Sequence, residues 1–220
     1  MPIYKAIIEN KEIVKIIYAL IIVFICFLIT LKAHRLFRLS FHSGIRYFRN
    51  AFFFYGLGFA ARYFLKFISA DYFLINPLFE FFLVMAGFFL LYSLLWKRID
   101  SHNPRSSLLN RRIGIFYLMA IIIILLDYVW NVPYFMYSAQ IIIFLFASII
   151  SYSNYKKDNY KNKFLRFYFI AMVLGLFAWI LNALAAVFFS WNQMVLINIY
   201  LLNAIFFLLF LYGVVKVTKT

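Results

Sequence analysis

Seven long apolar runs, separated by short polar stretches, make up most of this 220-residue chain. They cover about residues 14–33, 47–68, 73–96, 113–130, 134–155, 164–189 and 193–215. Each is close to the ~20 residues that a helix needs to cross ~30 Å of hydrocarbon. Lipid offers no partner to a backbone N–H or C=O, so runs of this length predict transmembrane α-helices. The polar stretches differ in kind. Lys32–Arg49, Lys97–Arg112, Lys156–Arg166 and Lys216–Lys219 hold 17 of the 22 Lys and Arg residues. The intervening stretches near Ala70, Asn131 and Trp191 are short and nearly free of them. Basic residues collect on the cytoplasmic side of a membrane. The pattern therefore predicts an all-α, polytopic integral membrane protein, one domain over residues 1–220, with seven transmembrane helices, N-terminus outside and C-terminus inside.

Composition agrees. The chain is 67% hydrophobic with a mean hydropathy of +0.92, whereas soluble domains are nearer half apolar. A formal charge of +15 on a soluble protein would suggest nucleic acid. Here the charge sits in short loops beside spans, too short to fold into a nucleic-acid reader, so it predicts orientation and attraction to anionic headgroups at the inner face. The first run is too long for a signal-peptide core and no small-residue cleavage site follows it, so it is read as retained. Residues 1–13 alternate isoleucines with charges and predict a short interfacial segment outside. Tyr72, Trp130, Tyr134 and Trp191 at one side, with Tyr47, Trp96, Tyr155 and Tyr212 at the other, match two aromatic belts. The expected location is the cell membrane, in a prokaryote.

The chain also carries a faint internal repeat. At an offset of 117, Arg49, Phe52, Leu57, Gly58 and Ala61 meet Arg166, Phe169, Leu174, Gly175 and Ala178. At 118, Leu83, Ala86 and Phe88–Leu91 meet Leu201, Ala204 and Phe206–Leu209. The expected arrangement is a 3+1+3 parallel repeat, with the fourth span as linker and a site between the halves.

Ionisable and amide side chains inside spans are costly in lipid and are candidates for function. Arg62, Glu80, Asp127, Gln140, Asn182 and Asn198 come from spans two to seven, one each. All lie ~6–11 Å below the outer boundary at 1.5 Å per residue. Such a layer predicts a polar pocket open to the outside, with the first span peripheral. The alternative is a purely structural network, in which Arg62 pairs with Glu80 or Asp127 and the amides join helices. Gly58 and Arg62 share a helical face; Ala178, Asn182 and Ala186 form a second stripe. Asn203, ~140° from Asn198 at 100° per residue, is expected to join helices.

Several chemistries are excluded. His34, His42 and His102 all fall in inner loops, so no span supplies haem or zinc ligands. The single cysteine, Cys26, allows no internal disulfide. No lysine lies in mid-span in the seventh run for a retinal Schiff base. No phosphate loop or nucleophile elbow occurs. No enzymatic activity, cofactor or metal is expected. The basic and apolar alternation from Arg35 to Asn50 suits a segment lying on the inner leaflet, as an orientation anchor or a docking surface.

In length, N-out topology and the basic first inner loop Gly44-Ile-Arg-Tyr-Phe-Arg-Asn-Ala-Phe, the chain resembles the seven-span sensor module of prokaryotic histidine kinases and related signalling proteins. That resemblance implies ligand sensing outside and output inside, here through a separate cytoplasmic partner because no kinase or cyclase domain follows the seventh span. The 3+1+3 pattern is also similar to that of SWEET-type sugar transporters, though their Pro-Gln pair is missing. The expected function is a stand-alone sensor or receptor-like module. In it, Arg62 holds a small polar or anionic ligand while Glu80 and Asp127 balance its charge. The alternatives are a small-solute or ion transporter with its site between spans 1–3 and 5–7, and a structural or assembly subunit.

Overall fold

The computed structural model describes residues 11–40, 43–68, 72–99, 111–157, 163–188 and 193–218, all helical except the turn at 131–133. The helices are α1 (Lys11–Ser40), α2 (Ser43–Ile68), α3 (Tyr72–Ile99), α4 (Arg111–Trp130), α5 (Tyr134–Lys157), α6 (Lys163–Phe188) and α7 (Gln193–Thr218). Most run past the apolar stretches that predict them. Lys and Arg are good helix formers, and their flexible stems let the charge reach water while the backbone stays helical. This overturns the loop expected from Arg35 to Asn50: α1 continues to Ser40 and α2 begins at Ser43. The interfacial segment expected at residues 1–13 lies outside the described residues up to residue 10, and Lys11–Ile13 belong to α1.

Six of the seven helices are long and apolar enough to cross a membrane. The exception is α2, 26 residues long, whose apolar stretch is bounded by Arg46 and Arg49 at one end and by Arg62 and Lys66 at the other. Bulky apolar side chains cover the outside of the bundle. Phe24 is 62% exposed, Leu118 60% and Ile149 57%. A surface of that kind is stable against lipid and not against water, which points to insertion in a membrane.

The helices close into a ring. α2 packs between α1 and α3, α6 packs between α5 and α7, and the triplets meet where α3 touches α5 and α7 touches α1. α4 stays outside the ring, against α3 and α5. Only 22% of its apolar span is buried, compared with 56% for α3. The peripheral helix is therefore α4, and α1, expected to be peripheral, is part of the wall.

Aromatic rings fill the half of the ring that holds the start of α2 and the end of α7. Phe52 lies 5.0 Å from Phe210, Phe206 5.0 Å from Phe210 and 5.8 Å from Phe144, and Tyr168 5.3 Å from Phe210. Edge-on and tilted rings at these spacings attract beyond their area alone. Tyr47, expected in an interfacial belt, is fully buried here, edge-on to Tyr92 at 4.5 Å. Trp130 and Tyr134 do sit exposed at the α4–α5 turn. Two polar contacts brace the same half. The Ser93 and Tyr168 hydroxyls lie 2.8 Å apart, joining α3 to α6, and Arg49 donates to His34 at 2.9 Å, joining α2 to α1.

Candidate functional site

The opposite half of the ring is hollow. A cavity of about 790 Å³ lies between the start of α1, the end of α2, the start of α3, the α4–α5 turn, α6 and the start of α7. That volume is typical of small-molecule sites, which run from ~300 to ~1,000 Å³. The helix ends supply charge and amides near the mouth: Lys15, Arg62, Glu80, Asp127 and Asn182. Deeper, Tyr55, Leu83, Gly175, Phe206 and Phe207 make the floor, on top of the aromatic packing just described.

Of the six residues expected to form one polar layer, the structure brings four to this cavity: Arg62, Glu80, Asp127 and Asn182. The Arg62 guanidinium rests over the Phe79 ring, 4.4 Å from its centroid. That contact follows from Gly58 one turn earlier, where α2 approaches α3 so closely that a Cβ would lie 3.2 Å from that of Phe82. Glu80, next to Phe79 on α3, is half-buried and within electrostatic reach of Arg62 and Asp127. Among the described residues no ion pair joins Arg62 to Glu80, so the pairing expected of a purely structural network is not formed between them.

Asp127 is committed elsewhere. Its two carboxylate oxygens accept the backbone N–H groups of Phe135 and Met136, both at 2.8 Å. These are orphan donors of the first turn of α5, where Pro133 has no side chain able to cap them. Asn131, in the left-handed region at φ 55°, turns the chain sharply enough to bring Asp127 back over that turn. Asp127 is thus a cap and a favourable charge at a helix N-terminus. Asp127→Ala should cost about 1–2 kcal/mol of stability, and Asp127→Asn, which keeps one acceptor, about half that, measured by thermal unfolding in detergent.

Gln140 and Asn198 do not line the cavity. Gln140 is fully buried and donates to the Leu83 carbonyl at 2.8 Å, tying α5 to α3. Its Oε1 faces Gly87, where an added Cβ would lie 2.7 Å away. Asn198 is exposed, and Asn203, expected to join helices, lines the cavity. The helical wheel separates these two asparagines correctly; only the packing of α7 against α1 and α6 decides which one faces inward. Asn182 donates to the Ala178 carbonyl of its own helix at 2.8 Å, a local bond that satisfies its amide nitrogen at the cavity wall.

Sequence reasoning missed the aromatic walls: Tyr18 of α1, Tyr55 of α2, Tyr137 of α5, Trp179 of α6 and Tyr200 of α7. Tyr18 and Tyr200 stack at 4.5 Å and 21°, and Tyr137 lies 6.3 Å from Trp179. In a chain that is 23% aromatic, nothing local marks these rings apart from those facing lipid. Tyr55 is the most telling. It is 2% exposed, and its hydroxyl, beside the Trp179 indole, makes no well-formed hydrogen bond among the described residues. Buried hydroxyls are normally paired.

No family model, curated protein or solved structure matches this chain, so the site is read from its own geometry.

Proposed function

We propose that this protein is a seven-span membrane protein, N-terminus outside and C-terminus inside, that binds a small polar ligand in the hollow outer half of the bundle and signals to a separate partner at its basic inner face. The observation that carries the reading is the closed floor: a polar-rimmed cavity ends on tightly packed aromatic rings. A blind pocket suits a receptor, which must hold its ligand without passing it on. At 1.5 Å per residue the 26 residues of α2 reach ~39 Å, enough to span. The basic blocks at alternate helix ends support the orientation and a home in the cell membrane.

One observation favours a second reading. A two-fold axis along the membrane normal that exchanges α1 with α5, α2 with α6 and α3 with α7 carries the α3–α5 contact onto α7–α1. It leaves α4 as the extra helix. That is the order expected of a duplicated 3+1+3 transporter, with its site between the halves.

The test is a thermal-shift screen of small solutes on detergent-solubilised protein, wild type beside Arg62→Ala and Glu80→Ala. A ligand at 100 times its Kd should stabilise the wild type by ~2.7 kcal/mol, and the gain should vanish in folded variants. If no solute stabilises the wild type and both variants unfold far below it, the rim is structural. Uptake of a hit into proteoliposomes would move the assignment to the transporter.

A further inference from the structure

The cavity holds features that, taken together, narrow the ligand class. Arg62 and Glu80 stand on neighbouring helices at the rim, opposite in sign and not paired with each other. Asp127, the other carboxylate, already serves as the cap of α5. Below the rim the walls are aromatic, with Trp179 and the stacked Tyr18 and Tyr200. At the floor the Tyr55 hydroxyl, beside Trp179, is buried without a well-formed hydrogen bond among the described residues, as is the Tyr18 hydroxyl in the wall. Tyr55 and Arg62 are seven residues apart on one helix, ~10 Å along its axis. The order from mouth to floor is therefore opposite charges, Lys15 and Arg62 with Glu80 and Asp127, then π faces and buried tyrosine hydroxyls.

From this order we propose, building on the binding reading above, that the cavity takes a small aromatic zwitterion of the α-amino-acid class. Its carboxylate meets Arg62 and its ammonium meets Glu80, its ring lies among the aromatic walls, and a polar ring substituent reaches Tyr55. Low-dielectric surroundings favour such a ligand. A zwitterion meets both Arg62 and Glu80 without bringing net charge into the membrane, whereas a simple cation or anion meets only one of them. Trp179 and the tyrosines add attraction for an ammonium group and for an aromatic ring. A zwitterionic phospholipid headgroup shares the paired charges but not the ring, so the test separates the two.

The experiment is calorimetric titration of the full chain in phosphatidylglycerol nanodiscs with L-tyrosine, with tyramine (no carboxylate) and with hydroxyphenylpropionate (no amine). L-Tyrosine should bind, and each single-charge analogue should bind about 10–100-fold more weakly. Arg62→Gln should bring L-tyrosine down to the level of tyramine and leave tyramine unchanged. Glu80→Gln should bring it down to the level of the acid and leave the acid unchanged. The retained analogue shows in each case that the variant is folded. Tyr55→Phe should weaken L-tyrosine and leave L-phenylalanine unchanged.

Tyramine or the acid binding as tightly as L-tyrosine would overturn the zwitterion while leaving a ligand site. So would silence of every probe alongside solute hits in the thermal-shift screen that depend on Arg62 and Glu80. Silence in both experiments would remove the binding reading as well. If phosphatidylethanolamine nanodiscs stabilise the wild type but not Arg62→Gln or Glu80→Gln, and L-tyrosine does not bind, the occupant is a lipid headgroup and the amino-acid class is overturned.

Discussion

Replacing Phe206 by alanine should destabilise the bundle by about 3 kcal/mol, near the lower end of the range for a buried Phe→Ala change. The lower end applies because lipid competes for apolar contacts, so what is lost is mainly close packing. Phe206 is 4% exposed and stands at the crossing of the aromatic floor. Its ring lies 5.0 Å from both Phe207 and Phe210, 5.8 Å from Phe144 and 6.4 Å from Tyr55. The four helices that meet here, α2, α5, α6 and α7, cannot all move inward to fill the space, so most of the cavity term remains. Thermal unfolding in detergent measures the loss. A cost below about 1 kcal/mol would mean that the floor repacks freely and does not close the cavity. Phe206→Leu, which keeps most of the volume, should cost well under half as much. The pair thus separates lost volume from lost ring geometry.

Gly175→Ala should destabilise by about 2 kcal/mol although it adds a single methyl group. The Cβ it introduces on α6 would overlap the Phe144 ring of α5 and lie 2.8 Å from the Phe206 ring of α7. Both rings are buried, so neither swings aside without disturbing its own neighbours. The backbone of α6 has no strain to relieve and alanine favours helices, so the sign of the effect comes from packing alone. Phe144→Leu should recover at least half of the loss, a coupling of about 1 kcal/mol in a double-mutant cycle. Additive costs would mean that Gly175 is not where α5 and α7 close on α6. Gly114 is the control: a Cβ there meets nothing within 4 Å, so Gly114→Ala should be neutral or stabilising by a few tenths of a kcal/mol.

Gly58 and Gly175 are also the glycines that meet when the sequence is aligned with itself at an offset of 117. Each lets its central helix, α2 or α6, approach the helices beside it. Both Arg62 and Ala178 then fall on the cavity side.

The sequence by itself determined seven long helices, all read as spans; the described residues form those seven, six of them long and apolar enough to cross a membrane. The reason is that a run of about twenty apolar residues has one stable backbone form in lipid. It also marked Arg62, Glu80 and Asn182 as polar side chains of one depth, since depth follows directly from counting residues along a helix. Only the tertiary structure decided which way each side chain turns. Helix rotation is set by close packing at Gly58, Gly87 and Gly175, and in these helices apolar residues lie on every face, leaving no amphipathic stripe to reveal it. For that reason Gln140 and Asn198 left the expected site, and Asn203 with the aromatic walls entered it. Asp127 became the cap of α5, because a turn at Asn131 brings one helix end back over the next, a contact written in no single segment.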